Sequence, residues 1–244
     1  FMLKGMCEQP QAVGDTLNPR IKDGNVVIEE LGMSDDEIRS IRKIYMIACG
    51  SAYHTCVSAK YVFEGLARIP VEVDLASEFR YRHPIYEPDT LAIIVSQSGE
   101  TADSLAALRE AKEHGIKVLG IVNVVGSSIA READNVMYTW AGPEIAVATT
   151  KAYSTQLIAH YLLALKFAKA RGEIDDAQMA EMVEDLKKLP GQIEMLLENK
   201  KRIQKFANRY LATEHVFFIG RGLDYAISLE GSLKLKEISY IHSE

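Results

Sequence analysis

The chain has 244 residues, of which 48% are hydrophobic, and a formal net charge of −6. That length builds one large domain or one unit plus part of another, and the acidic balance speaks against nucleic acid as an electrostatic partner. No apolar run approaches the roughly 20 residues of a membrane span, and three cysteines without CxxC spacing (Cys7, Cys49 and Cys56) predict reduced thiols of a cytoplasmic protein rather than a disulfide framework or a zinc site.

The first 42 residues read as an arm. Pro10 marks a helix start, Asn18 and Pro19 a break, and Val26, Val27 and Ile28 a short strand. Ser34 and Glu37 have the S-x-x-E spacing of a capping box, which predicts a short helix running to about Arg42. From there strands and helices alternate: a strand over 44–48, a helix over 53–66, and strands over 71–75 and 91–95. A helix over 102–114, a strand over 118–122, a short helix from Ser127 and a strand over 135–139 follow. Repeated βα units of this spacing predict an α/β fold, a mostly parallel sheet sandwiched by helices. Gly142 and Pro143 break the chain before a long helix over 150–171. Two further helical segments, separated at Pro190 and Gly191, lead to a new strand over 216–219. Alternating charge over 181–209 reads as the wet face of connecting helices.

One turn carries the chemistry. Leu91-Ala92-Ile93-Ile94-Val95 is apolar and branched, as a strand buried on both faces requires. Ser96-Gln97-Ser98-Gly99-Glu100-Thr101 then leads directly into a helix. Such a turn collects free backbone N–H groups at the positive end of a helix dipole, and the hydroxyls of Ser96, Ser98 and Thr101 add neutral donors. That combination suits the phosphate of a small metabolite, although an ordinary capped βα turn has the same look.

The last strand restarts the pattern. Ile47, Gly50 and Tyr53 have the same spacing as Ile219, Gly222 and Tyr225, and each set opens a helix after a strand. This predicts an internal duplication whose second copy is truncated after its first βα unit. The opening, with Phe1 before Met2, and the close at Glu244 without a helix stop predict a piece cut from a larger protein.

Three ordered motifs carry a resemblance: Cys49-Gly50-Ser51, residues 96–101, and Glu144-Ile145-Ala146-Val147-Ala148-Thr149-Thr150-Lys151. Together they are similar to the sugar isomerase (SIS) family. More narrowly, they resemble the isomerase half of the glutamine–fructose-6-phosphate aminotransferases, the glucosamine-6-phosphate synthases. Phe1 to Lys4 with Glu8, Gln9 and Pro10 resembles that family's junction with its glutaminase domain. Gly220-Arg221-Gly222 and residues 229–242 resemble the start of its second SIS unit. The resemblance implies an SIS-type sheet divided as an arm over 1–42, a first unit over 43–172, a helical connector over 173–212 and the start of a second unit over 213–244.

The resemblance also implies function. Fructose 6-phosphate or glucosamine 6-phosphate, intermediates of amino sugar biosynthesis, would bind with the phosphate at Ser96, Gln97, Ser98 and Thr101. Ser51 would face the sugar, and Val147 and Thr149 would line the other side. Glu237 matches the family's base, which moves a proton between C1 and C2, and Lys234 matches a lysine that assists. Ala52 departs from the family's Ser and leaves only its backbone N–H for contact. The family's ring-opening histidine and C-terminal lysine lie beyond the equivalent of Glu244, and its glutaminase lies before Phe1, so the fragment alone is expected to be inactive. The implied assembly is a homodimer, with no nucleic acid or membrane as partner.

Plainer readings compete with these. A Lys and a Glu three apart on a helix commonly form a solvated ion pair. Cys49 fits a small core residue, as free Cys often does. His54, His83, His114, His160 and His215 show no metal spacing, and Tyr225 stands where a dinucleotide fingerprint needs its third glycine. No metal or nucleotide cofactor is expected. A non-catalytic SIS sensor of sugar phosphates, or an SIS deglycase or deaminase, remains the alternative to the aminotransferase.

Overall fold

A computed structural model describes residues Phe1–Glu244. An arm of α1 (Met2–Leu17), a two-stranded hairpin of β1 (Ile21–Lys22) and β2 (Asn25–Val26), and α2 (Asp35–Ser40) precedes the main sheet. The sheet then builds in chain order from β3 (Lys43–Ala48), α3 (Gly50–Val62), β4 (Val71–Leu75), α4 (Ala76–Phe79), β5 (Thr90–Ser96), α5 (Ala102–Glu113), β6 (Lys117–Val122), α6 (Ser128–Glu132) and β7 (Asn135–Tyr138). All its pairings are parallel, in the order β4-β3-β5-β6-β7. The remainder is helical apart from one short pairing: α7 (Lys151–Arg171), α8 (Asp176–Glu198), α9 (Lys200–Ala207), β8 (His215–Val216), α10 (Leu223–Ser239) and β9 (His242–Ser243).

The apolar runs divide by alternation. Ile44, Met46 and Ala48 of β3 with Leu91, Ile93 and Val95 of β5 face a large core shared with α1, α3, α7 and α8. Tyr45 and Ile47 with Ala92 and Ile94 face a smaller core closed by α4, α5 and α6. A parallel sheet requires helices on both faces, and a period-two side-chain pattern fills both from one continuous run. The arm is part of the larger core: Val13 and Leu17 of α1 are fully buried.

Several expected boundaries move, each for a visible reason. Pro10 lies inside α1 instead of at its start. It supplies no N–H to the Met6 carbonyl four residues back, and the Gln9 side-chain amide donates to that carbonyl instead, at 3.2 Å. The expected break at Pro190 and Gly191 does not occur. α8 runs through both, because Leu186, Leu189 and Ile193 on either side of the proline pack against the core. The strand expected over 216–219 shrinks to β8, whose pairing with β9 spans two residues. The strand expected at 26–28 is the hairpin arm Asn25–Val26. The capping box at Ser34 and Glu37 forms in both directions, and its helix ends at Ser40 so that β3 can begin.

His160 of α7 is fully buried. Its Nε2 lies 3.3 Å from Thr55 Oγ1 of α3, and its Nδ1 has no partner. Burial disfavours the imidazolium and lowers the pKa from 6.5 to about 3. The unfolded chain therefore binds a proton that the folded one refuses. The stability conferred by neutral His160 is complete above the unfolded value and is lost as pH falls toward the folded one. His160→Leu is expected to flatten this acid loss by about 1.4 kcal/mol per pH unit between about pH 6 and 4. Urea denaturation at several pH values checks it, and equal slopes for the two proteins would refute it.

Candidate functional site

The sheet order places a topological switch between β3 and β5. The chain leaves β3 toward β4 on one side and returns to β5 on the other. Ligands of open α/β sheets bind outside the carboxyl ends of strands at such a switch. Ala48 and Val95 stand abreast there, so the turns that follow them, at Cys49 to Ser51 and at residues 96–101, face each other across one cleft. The cleft encloses about 280 Å³.

The turn at 96–101 is stiffened from within. Ser96 Oγ accepts from Gly99 N at 3.0 Å and lies 3.0 Å from Thr101 Oγ1. Ser98 Oγ accepts from Glu100 N at 3.2 Å, which leaves its own proton free to donate outward. Thr101 caps α5 through its position alone: its side chain makes no capping bond. The first intrahelical bond of α5 is Leu105 N to Thr101 O at 2.9 Å, so the N–H groups of the first turn remain available. The turn is also tied to α6. Gly99 O accepts from Ile129 N at 3.0 Å, and Glu100 Oε1 accepts from Ser128 N at 2.7 Å. These Ser128 contacts hold the Glu100 carboxyl below the usual carboxylate range.

The opposite wall is the 142–150 loop and the start of α7. Glu144 Oε2 accepts from Thr149 Oγ1 at 3.1 Å and from Thr150 N and Ala152 N at 3.2 Å each. One carboxylate thus caps α7 and pins the loop, an arrangement the dipole favours. It also engages the Thr149 proton, so that hydroxyl meets a ligand as an acceptor. Val147, by contrast, is 97% exposed at the tip of the loop.

The third wall comes from α10. Lys234 and Glu237 form an ion pair on the face turned toward the cleft, and the Lys234 side chain is only 16% exposed. All nine residues singled out from the sequence, Ser51, Ser96, Gln97, Ser98, Thr101, Val147, Thr149, Lys234 and Glu237, therefore line one cleft. Sequence reasoning missed Tyr153 and Gln156, gave Glu144 no role beyond its place in the 144–151 motif, and set aside Cys49, which also lines the cleft. Tyr153 and Gln156 lie one turn apart at the start of α7, a spacing that would have revealed them once the Gly142–Pro143 loop was read as a wall. Burial first, and then the charge of Glu230, push the Tyr153 phenol up.

The cleft is chemically mixed. Its end at the 96–101 turn offers hydroxyls, an amide and helix N–H groups without a cationic side chain. Its other end holds one ammonium and two carboxylates, Glu144 and Glu237. Neutral donors at a helix N-terminus bind an anion with directional hydrogen bonds, and a carboxylate paired with an ammonium can take and return a proton.

This geometry is that of a parallel α/β domain with a polar cleft at its topological switch, and comparisons with known proteins give its family. The SIS domain model matches residues 37–166, and the chain belongs to the SIS domain family. It is 58% identical over its whole length to the glutamine–fructose-6-phosphate aminotransferase [isomerizing] of Caldanaerobacter subterraneus subsp. tengcongensis, and 55% identical to that of Clostridium tetani. In each case it spans 40% of the relative's length. Among solved structures, the C-terminal domain of glucosamine-fructose-6-phosphate aminotransferase from Francisella tularensis superposes on the whole chain with a TM-score of 0.96 at 40% identity, and the chain covers 69% of it. Glucosamine-6-phosphate deaminase from Thermotoga maritima, with a TM-score of 0.65 at 22% identity, shares the fold.

Gly99 tests the stiffness of the turn. Its φ is +65°, and an added Cβ would stand 2.0 Å from Ser127 Oγ, a buried atom at the start of α6. Gly99→Ala is expected to destabilise the protein by at least about 1–3 kcal/mol, measured by urea denaturation. A cost below about 0.5 kcal/mol would mean that the turn and α6 are not locked together.

Proposed function

We propose that this chain is the sugar-phosphate isomerase portion of a glutamine–fructose-6-phosphate aminotransferase. It would bind fructose 6-phosphate and glucosamine 6-phosphate in amino sugar biosynthesis. The observation that carries this reading is the meeting, in one cleft, of the 96–101 turn from the sheet with Lys234 and Glu237 from α10. A module that only sensed sugar phosphates would need the turn, but not an acid–base pair facing it. Identity of 58% to a relative with the aminotransferase name supports the same choice.

In this reading the phosphate sits at Ser96, Gln97, Ser98 and Thr101, accepting from Ser98, the Gln97 side chain, the first N–H groups of α5 and whichever hydroxyl of the Ser96–Thr101 pair keeps its proton free. Ser51 and the N–H of Ala52 face the sugar, while Val147 and Thr149 form the far wall. Ammonia adds to the C2 carbonyl of the open-chain ketose and water leaves as the imine forms. Glu237 then takes a proton from C1 and returns it to C2 while the O1 proton passes to the imine nitrogen, leaving an aldehyde at C1 and an amine at C2, and Lys234 supports the charge on the neighbouring oxygen. The full-length protein is proposed to be a cytoplasmic homodimer with a glutaminase domain that supplies the ammonia. Residues 213–244 would begin its second SIS unit, after a first unit over 43–172 and a connector over 173–212, with 1–42 as the arm from the glutaminase.

Two measurements test it. Calorimetric titration with fructose 6-phosphate is expected to show Ser98→Ala and Thr101→Ala each weakening binding by about 1.5–3 kcal/mol, the worth of a hydrogen bond to a charged group. Unchanged affinity in both variants would remove the phosphate from this turn. In the full-length protein, Glu237→Gln is expected to slow exchange of the C1 hydrogen with deuterium by about 10²–10⁴-fold, with sugar-phosphate affinity held within a few-fold. Exchange at the wild-type rate would make Glu237 a bystander and return the chain to the sensor class.

A further inference from the structure

Of all the acidic residues, Glu230 alone is buried, with 6% of its surface exposed. It lies on α10 one turn before Lys234, outside the cleft lining, and within the 229–242 stretch it was given no role of its own. Its Oε2 accepts from His54 Nδ1 of α3 at 2.8 Å. Its Oε1 makes no hydrogen bond and stands 3.5 Å from Lys234 Nζ. Lys234 in turn pairs with Glu237. A buried carboxylate without full pairing is costly, so a structure that keeps one at a helix junction has a use for its charge.

The spacing shows what the charge holds together. His54 follows Ser51 by three residues on α3, and Glu230 precedes Lys234 by four on α10. A single charge-assisted bond therefore joins the two helices one turn away from the cleft on each side. The same carboxylate faces the inner side of Lys234 while Glu237 faces its outer side, so one ammonium is divided between two carboxylates. Without Glu230, Lys234 would pair wholly with Glu237 and would be free to move with it.

We propose that Glu230 is a positioning residue for the proton-transfer step. Anchored by His54, it holds Lys234, and through Lys234 it sets where Glu237 stands relative to the phosphate turn. This rests on the sugar-phosphate reading above and adds to it a residue that touches no substrate.

The test is a double-mutant cycle in the full-length protein, read as C1 hydrogen–deuterium exchange with fructose 6-phosphate. Glu230→Gln keeps the size and can still pair with His54, but it removes the charge. It is expected to lower the limiting exchange rate about tenfold or more while the KM for sugar phosphate stays within about twofold. In a Lys234→Met background the same substitution should change the rate by less than about twofold, because its effect passes through Lys234. Equal losses in both backgrounds, or a rise in KM matched to the fall in rate, would show a general structural role and overturn the inference. Should Glu230→Gln fail to fold, His54→Gln, which loosens the anchor from α3, carries the same cycle with a smaller loss expected in the wild-type background alone. Absence of exchange in the wild-type protein would remove the isomerase reading and this inference with it. Exchange in the wild type with additive losses would remove only this inference.

Discussion

The parallel registry of β3 and β5 is the constraint from which the site follows. Both strands are buried on both faces, so the chain must leave and re-enter each of them by way of a helix. Each return sets the end of a strand beside the start of a helix. Because β4 lies to one side of β3 and β5 to the other, the two helix starts diverge and leave a gap between them. Ala48 and Val95, paired in register at that edge, determine how far apart Ser51 and Ser96 stand. A shift of one residue in either strand would exchange its two faces and take the gap away with the core.

The electrostatics of the cleft follow from what closes it. At the 96–101 turn the polar atoms first satisfy one another and the start of α6, and only the outward donors remain. A turn held in this way presents its donors in fixed positions, which suits a rigid anion and costs little reorganisation on binding. Across the cleft Glu144 occupies the start of α7, so that helix end is closed to any anion. Of the two long walls, one is thus left open to negative charge and the other is already neutralised.

The α10 wall is joined to the rest chiefly by packing against α3. Ala226 is buried, Gly231 allows the Phe218 ring to approach where a Cβ would stand 2.8 Å from Cε1, and Glu230 meets His54. Much of the surrounding surface is apolar and exposed, including Phe217, Ile219, Tyr225 and Ile227. The position of Lys234 and Glu237 therefore rests on the helix–helix junction with α3 more than on a core of their own.

Much of this was legible in the residues themselves. The branched runs at 44–48 and 91–95, the capping box at Ser34 and Glu37, and the polar turn at 96–101 are local signals. They specified strands, a helix start and a donor-rich turn between strand and helix through steric preference and hydrogen-bonding capacity. Gly50 and Gly222, matched across the repeat, both adopt positive φ at a helix start, as a residue without a Cβ does readily. The tertiary structure decided what proline and charge would do. Pro10 and Pro190 sit inside helices because packing and a side-chain amide outweighed the missing N–H. The strand sought at 216–219 shortened because a strand persists only where another lies beside it. The burial of Glu230, the capping by Glu144 and the turning of Lys234 toward the cleft depend on residues more than a hundred positions apart, or on loops whose path no local preference dictates. A single sequence records such partners only as separate letters, and it is the folded core that brings them within reach of one another.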